Sequence, residues 1–145
     1  MTTIADMYRR FKSINLRQQV PILIEQDADT VTDLNKEQLY ERSVDKNGAP
    51  LRLYGSVGYS LDKNRINPRP GFGRPDLYLT GAFYRGFNIR VTRNALTITS
   101  SDSKTSMLTK KYGQDIFGLD QQSRDKFRPR LQNNIVKYIR LITKV

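Results

Sequence analysis

Apolar side chains recur at helical spacing at both ends of the chain. The N-terminal stripe consists of Ile4, Met7, Phe11 and Ile14. The C-terminal stripe consists of Phe127, Leu131, Ile135, Tyr138/Ile139 and Ile142. Because residues three or four apart share one helix face, each stripe predicts an amphipathic helix. Thr2 or Thr3 can cap the first helix and Asp120 the last. Pro129 predicts either a kink in the last helix or a restart with Pro129 in its first turn.

The rest of the first 48 residues also has a helical pattern. Pro21 predicts a kink, or a second helix that begins near Gln19, because proline breaks a helix interior. The apolar positions for the inner face are Ile24, Val31, Leu34 and Leu39. Asn47–Gly48 is a turn signal that ends this helical region.

Residues 49–75 lack a regular pattern and are rich in glycine, proline and arginine. We interpret them as an extended basic loop or arm, because long irregular segments in a small domain are usually functional or mobile. The side chains that we expect to contact a partner protein or DNA are Arg65, Arg69, Phe72 and Arg74.

Alternation of apolar and polar residues appears only in the second half. Residues 88–92 and 95–100 alternate and predict a β-hairpin with Arg93–Asn94 as its turn, and Leu96 and Ile98 are expected to point inward. Thr80 can cap a short helix over residues 81–86, and Gly113 suits the end of a helix over residues 105–112.

The expected fold is α+β, in one domain over residues 1–145. In it the N-terminal helical region and the C-terminal amphipathic helix pack on a small antiparallel sheet.

Charge is unevenly distributed. Of the formal net charge of +11, residues 1–48 contribute −1, residues 49–100 contribute +6 and residues 101–145 contribute +6. Such a layout favours contacts between unlike ends of neighbouring copies as well as attraction to polyanions. The candidate subunit-interface charges are Asp27, Asp29 and Asp33 on the acidic side, and Arg128, Arg130, Lys137 and Arg140 on the basic side.

Little in the sequence points to catalysis. The chain has no Cys and no His, which removes thiol chemistry, disulfides and the commonest general base and metal ligand. Carboxylate pairs such as Asp27/Asp29 or Asp115/Asp120 lie in polar contexts that favour solvated groups rather than a perturbed site. We therefore expect no enzyme activity, no catalytic residue, no metal and no cofactor. No apolar run is long enough to span a membrane, so no membrane partner is expected.

Nucleic-acid binding is the alternative function. The positive charge predicts salt-dependent affinity for phosphate backbones. Aromatic residues also lie among the arginines, and this mixture of residues can stack on the bases of single strands. These aromatic residues are Tyr54, Tyr59, Phe72, Tyr78 and Tyr84. No sequence-reading motif accompanies them, so the binding would not be sequence-specific.

The order of segments resembles the neck and tail-completion family of tailed bacteriophages. After a helical region comes NKEQLYERSVDKNGAPL (residues 35–51), then DLYLTGAFYRGFNI (residues 76–89), a hairpin, KKYGQDIFGL (residues 110–119) and a basic terminal helix. In that family an L-x-x-T-G-x-(F/L) segment starts a short helix, and a (Y/F)-G segment precedes the last one. The residues that carry the motifs are Leu79, Thr80, Gly81, Phe83, Tyr112 and Gly113.

The resemblance covers roughly residues 30–145 and implies a structural virion protein. Such a protein would form a homo-oligomeric ring between the portal-side connector and the tail, around the DNA channel, after assembly in the host cytoplasm. The partners implied are further copies of the chain, phage connector and tail proteins, and non-specific contact with genomic DNA. The modest hydrophobic share of 37% fits a chain stabilised partly by neighbouring subunits.

Overall fold

The computed structural model describes residues 1–92 and 95–144, and within them the fold is α+β, as predicted. Seven helices surround one two-stranded antiparallel sheet. The helices are α1 (Ile4–Ser13), α2 (Leu16–Gln26), α3 (Ala28–Glu37), α4 (Val57–Ile66), α5 (Ala82–Arg85), α6 (Thr105–Tyr112) and α7 (Gln121–Thr143). The strands are β1 (Phe87–Val91) and β2 (Leu96–Ser100). A π-helical turn, Gln38–Arg42, continues α3, and a 3-10 turn, Gln114–Ile116, follows α6.

Local capping sets the first two helix starts. Thr3 accepts a hydrogen bond from the backbone N–H of Asp6, and the Asp6 carboxylate accepts one from Thr3, each at 3.1 Å. This reciprocal capping box satisfies two free N–H groups at the start of α1. Asn15 caps α2 in turn, so the second helix begins at Leu16, earlier than the predicted start near Gln19. Pro21 lies inside α2.

The predicted hairpin is present. Strand β1 pairs with β2 in an antiparallel register that sets Phe87 opposite Ser100 and Ile89 opposite Ile98. Ile98 is buried, as expected, but Leu96 is exposed, because the outer end of the hairpin extends past the core. The predicted turn, Arg93–Asn94, lies outside the described residues.

Helix α4 is the main difference from the sequence interpretation, which treated residues 49–75 as an extended arm. Ser56 caps α4 by accepting a hydrogen bond from the Tyr59 N–H at 3.2 Å. The face of α4 that is turned to the protein is polar, since Ser60 and Lys63 are its buried side chains. Hydrophobic periodicity cannot reveal a helix that buries polar groups.

Two apolar clusters form the core. The first comprises Leu39, Leu51, Leu77, Phe83, Tyr84 and Ile116, and the second comprises Val31, Ile98 and Phe127. Phe87 and Phe117 pack against both clusters, with ring centroids 5.5 Å apart. The sheet and the segment before α7 are thereby joined into one packed interior.

Two buried amides, Asn35 of α3 and Gln38 of the π-helical turn, contact the segment before α7, and we call their hydrogen bonds the amide ladder. The Asn35 side chain donates to the Ile116 carbonyl and accepts from the Gly118 N–H, both at 3.0 Å. Gln38 donates to the Gly118 carbonyl at 3.0 Å and accepts from the Asp120 N–H at 2.8 Å. Both amides are fully buried. They therefore fix the path of residues 116–120 through backbone hydrogen bonds that no apolar side chain could make.

Helix α7 begins at this amide ladder. The predicted N-cap is confirmed, since Asp120 accepts from the Ser123 N–H at 2.9 Å. Arg42 donates to both carboxylate oxygens of Asp120. From this fixed start α7 runs without interruption through Pro129 and packs on α1, α2 and α3.

Replacing Asn35 tests the amide ladder. In Asn35→Ala the buried Ile116 carbonyl and Gly118 N–H lose their partners, so we expect the free energy of unfolding to fall by about 3 kcal/mol. Urea denaturation at neutral pH measures it. The matched control is Asn47→Ala, which removes an exposed hydrogen bond to Asp115 and should cost less than about 0.5 kcal/mol. Equal losses in the two variants would contradict the role of the ladder.

Acid should weaken the start of α7. Burial alone would raise the pKa of Asp120, but hydrogen bonds from Arg42 and Ser123 outweigh it and lower that pKa to about 2. The ionised carboxylate is thus favoured in the folded state. Its contribution is complete above the unfolded pKa near 3.8 and is lost as the pH falls through the folded value. Between about pH 5 and pH 2 the wild type should lose about 2 kcal/mol more unfolding free energy than Asp120→Asn. If the unfolding free energies of the two proteins fell in parallel with pH, the stabilising role of the ionised Asp120 carboxylate would be excluded.

Candidate interaction surfaces

A buried carboxylate anchors the segment that carries the family-like motif. The Asp76 carboxylate lies 2.7 Å from the Lys63 ammonium of α4 and is 2% exposed. It also accepts hydrogen bonds from the Asn67 side chain at 3.2 Å and from the Tyr78 N–H at 3.1 Å. A buried ion pair is stable only when its remaining polar atoms are satisfied, and these bonds meet that condition. The pair therefore holds residues 76–78 against α4.

The backbone after Asp76 turns sharply. Leu77 has a φ of +54° and Gly81 a φ of +83°. A Cβ on Gly81 would lie 2.7 Å from the end of the flexible Arg85 side chain, which can move, so it is the positive φ that favours glycine there. Thr80 accepts from the Ala82 N–H at 3.3 Å at the start of α5. The Thr-Gly pair of the motif is thus a turn into a helix.

Helix α5 directs aromatic rings into the core. Phe83 and Tyr84 are buried, and the Tyr84 hydroxyl donates to the Asp76 carbonyl. Ser100 of β2 donates to the Phe83 carbonyl at 2.7 Å, which ties the short helix to the sheet. Residues 76–87 therefore brace the sheet against α4, and their polar atoms are used in structure.

The outer side of this segment forms one wall of a groove, which we name the tyrosine groove. Its volume is about 430 Å³. Three parts of the chain line it: residues 54–59, with Tyr54 before α4 and Tyr59 in its first turn, the segment 77–83, and α6 with Met107, Leu108 and Tyr112. The floor is apolar and includes Phe83. Leu79 and Met107 are 69% and 58% exposed, so the groove presents apolar side chains that the core does not use.

Charge at the tyrosine groove is mostly positive. Lys104 and Lys111 line it together with one carboxylate, Asp102. Asp102 accepts a hydrogen bond from the Lys104 backbone N–H at 3.2 Å. Burial raises the pKa of the Tyr54 and Tyr112 hydroxyls, so both phenols stay neutral at physiological pH. The groove therefore combines neutral aromatic walls with two ammonium groups.

A second apolar surface lies on the terminal helices. None of the side chains of α1 is buried, and Ile4, Tyr8 and Phe11 are 85%, 60% and 58% exposed. With Val136 and Ile139 of α7 they line a depression of about 450 Å³. We call these five side chains the terminal-helix surface. A ten-residue helix that buries none of its side chains gains little from the rest of the chain.

The predicted arm residues are mostly held against the protein. Arg69 forms an ion pair with Glu41, and Arg74 donates to the Ser43 carbonyl at 3.5 Å. Arg65 lies 4.0 Å from Asp62 within α4, and Phe72 is about half exposed. The segment that follows α4 is therefore packed down by its own polar contacts and does not extend as a free arm.

The predicted interface charges divide into paired and open groups. Asp27 pairs with Arg130 in the same chain, and the hydrogen bond from Arg130 lowers the pKa of Asp27. Arg128 lies 3.3 Å from Asp125, and Asp33 lies 3.4 Å from Lys36. Among the described residues, the candidates without an ion pair are Asp29, Lys137 and Arg140. Asp27 and Arg130 thus join α7 to the junction of α2 and α3.

Sequence reasoning missed several residues that shape these surfaces. Asn35, Gln38 and Lys63 gave no signal, because a polar residue destined for the interior looks like any surface residue. Lys104 and Met107 were also missed, since their role depends on where α6 lies relative to segment 77–83. Asp76, which directly precedes the motif, was the one sequence feature that pointed to the buried ion pair with Lys63.

A cluster of side chains that could hold a metal ion is absent from the part of the chain that the structure describes. No three Asp or Glu side chains there converge as ligands for a metal ion. Across residues 1–92 and 95–144, no helix has the length and apolarity to cross a membrane. What these residues do offer is two apolar surfaces with basic neighbours.

Replacing Asp76 tests the anchor. In Asp76→Asn the buried Lys63 ammonium loses its counter-charge, so we expect the free energy of unfolding to drop by about 3–5 kcal/mol. Thermal and urea denaturation measure this. The control, Asp62→Asn, removes an exposed partner of Arg65 on the same helix and should change stability by less than about 0.5 kcal/mol. A loss below about 1 kcal/mol in Asp76→Asn would refute the anchoring role.

None of the protein-family models, curated proteins or solved structures compared with this chain matches it. Function therefore has to be inferred from the motifs and from the two surfaces.

Proposed function

We propose that this chain is a structural subunit of the head–tail junction of a tailed phage. In this proposal copies of the chain form a ring around the DNA channel, as a tail-completion or neck protein. The order of the motifs, from the Thr-Gly turn at Thr80 and Gly81 to the glycine at Gly113 and the basic last helix, supports it. The use of the motif residues as turns and braces, rather than as reactive groups, also fits a structural role.

The observation that carries the proposal is the terminal-helix surface. Exposed apolar area of this kind usually marks a contact with another protein. Helix α1 has a capped start and a regular apolar stripe, yet the described part of the chain buries none of its side chains. Covering Ile4, Tyr8 and Phe11 with a neighbouring subunit would stabilise α1 and remove this apolar area from water.

The charge distribution also supports a closed ring. Neighbouring copies in a ring contact each other through two different patches. The terminal helices are positively charged, and Lys137 and Arg140 have no ion-pair partner among the described residues. One side of α3 is negatively charged, since Asp29 and Asp33 are exposed there. Opposite charges on two faces favour one relative orientation of successive copies.

The test is native mass spectrometry of the purified chain, alone and with candidate connector and tail proteins, at low and moderate salt. We expect a closed oligomer of the chain, formed either alone or on a partner. In Phe11→Asp assembly should fall at least tenfold, because a charge placed in an apolar contact costs at least about 1.4 kcal/mol.

The matched control is Ser13→Asp, which adds the same charge to an exposed position at the end of the same helix. It should assemble like the wild type. A chain that stays monomeric with every partner, or that assembles equally well with Phe11→Asp, would contradict the proposal.

Non-specific nucleic-acid binding is a second candidate, favoured by the net charge of +11. It predicts affinity for duplex DNA that falls steeply between about 50 and 200 mM salt, as phosphate neutralisation requires. A monomer with such a salt slope and no affinity for connector or tail proteins would support this candidate over the first.

A further inference from the structure

We propose that the tyrosine groove binds an acidic segment of a different protein, and that a large apolar side chain of that segment fills the groove floor. This inference goes beyond the head–tail role, since it holds for the groove whether or not the chain forms a ring. It assigns a function to the outer side of segment 77–83, whose inner side is occupied with bracing the core.

The shape and lining suit a side chain of a partner. A volume of about 430 Å³ falls in the range of sites that enclose small ligands or peptide side chains. Leu77, Phe83 and Leu108 line the groove and also belong to the first core cluster or pack against it. An apolar group that enters the groove would therefore contact an ordered surface and would need little rearrangement of the protein.

The rim has features that folding does not require. Leu79 and Met107 line the groove and are mostly exposed to water. The Tyr54 hydroxyl is directed inward, where it accepts a hydrogen bond from the Asp76 N–H at 3.3 Å. The Tyr54 ring rather than its hydroxyl is thus available to the groove. Exposed apolar area around a concave floor is the usual mark of a binding site.

Helix α4 also exposes apolar side chains, which lie outside the lining of the groove and on the side of the helix away from Tyr59. It buries Ser60 and Lys63 and exposes Val57 and Leu61, which are 70% and 48% exposed. Tyr59 on the same helix lines the groove. A helix with polar residues inside and apolar residues outside is expected where the outer face meets another protein.

Electrostatics select an acidic occupant. Neither Lys104 nor Lys111 forms an ion pair with any described carboxylate. Asp102 is the one carboxylate in the lining, and the backbone N–H of Lys104 already donates to it. Two ammonium groups beside an apolar floor complement carboxylates that flank an apolar side chain.

A second copy of this chain is a poor fit. The helix with the most exposed apolar stripe, α1, carries Arg9, Arg10 and Lys12. Those cations would approach Lys104 and Lys111, and like charges brought together at an interface cost several kcal/mol. This repulsion favours a different protein over α1 of a second copy as the occupant.

A nucleic acid fits less well than an acidic peptide. Stacking on single-stranded bases needs open aromatic faces along a basic track. Here Tyr54 and Tyr59 pack edge to face with centroids 4.9 Å apart, and Tyr78 stacks against Tyr84 at 6.2 Å. The rings thus form two pairs and not a row of open faces along a basic track, and the groove floor is apolar.

The experiment uses the full chain, labelled with ¹⁵N, and two synthetic peptides capped at both ends. One peptide has the sequence Asp-Glu-Phe-Leu-Asp-Glu, and the other replaces each acidic residue by lysine. We expect the acidic peptide to bind at least tenfold more tightly, with amide shifts concentrated at residues 54–59, 77–83 and 104–112.

Charge reversal sharpens the test. In the double variant Lys104→Glu, Lys111→Glu the preference should reverse, so that the lysine peptide binds more tightly. Met107→Ser, at an exposed position, should weaken both peptides at least threefold. The matched control is Lys137→Glu, Arg140→Glu, which makes the same charge change on α7 and should leave the preference for the acidic peptide intact. Each variant is first checked for a dispersed amide spectrum.

Four results of the binding experiments would overturn the proposal. The first is equal affinity for the two peptides, and the second is a set of amide shifts outside the groove. The third is a peptide preference that changes in the α7 variant Lys137→Glu, Arg140→Glu but not in the variant of Lys104 and Lys111. The fourth is binding of oligothymidylate to the same amides with an affinity equal to or higher than that of the acidic peptide. Self-association of the wild type that Leu79→Asp abolishes would also overturn it, because the occupant would then be a second copy.

Discussion

Two fully buried amides, Asn35 and Gln38, determine how the two halves of the chain fit together. They contact the backbone of residues 116–120, more than 75 positions away in the sequence. A buried amide is costly unless its donors and acceptors are satisfied, so the matching backbone path is strongly selected over alternatives. The start of α7 follows from this path, and with it the packing of α7 on α1, α2 and α3.

A second polar centre has the same effect on the other side of the core. Asp76 and Lys63 join segment 77–83 to α4, which otherwise offers few apolar side chains to the interior. Because the ion pair is almost completely buried, separating its two side chains would leave an uncompensated charge inside the protein. This cost keeps the two side chains in one geometry. The tyrosine groove has a firm wall for this reason.

Several large apolar side chains lie at the surface rather than in the interior. The terminal-helix surface and the tyrosine groove are separate, share no lining residue, and both have cationic neighbours. A chain with a modest hydrophobic share that still exposes Ile4, Phe11 and Leu79 is suited to contacts with more than one neighbour. This arrangement is compatible with a subunit that joins copies of itself to other components of an assembly.

The sequence by itself determined the elements whose signals are local. Helix α1 follows from its stripe and from Thr3, α6 ends at Gly113 as the glycine predicts, and Asp120 caps α7. The hairpin follows from alternation, and the α+β class follows from the sum of these elements. Each of these signals lies within about one turn or one strand of the residues that it orders.

Only the tertiary structure decided the rest. Helix α4, the amide ladder, the pairing of Asp27 with Arg130 and the lining of the groove depend on groups that are distant in sequence. A polar side chain carries no local mark that tells whether it will meet water or a buried partner. Its partner is brought to it by the packing of other elements, and that packing is a property of the whole chain.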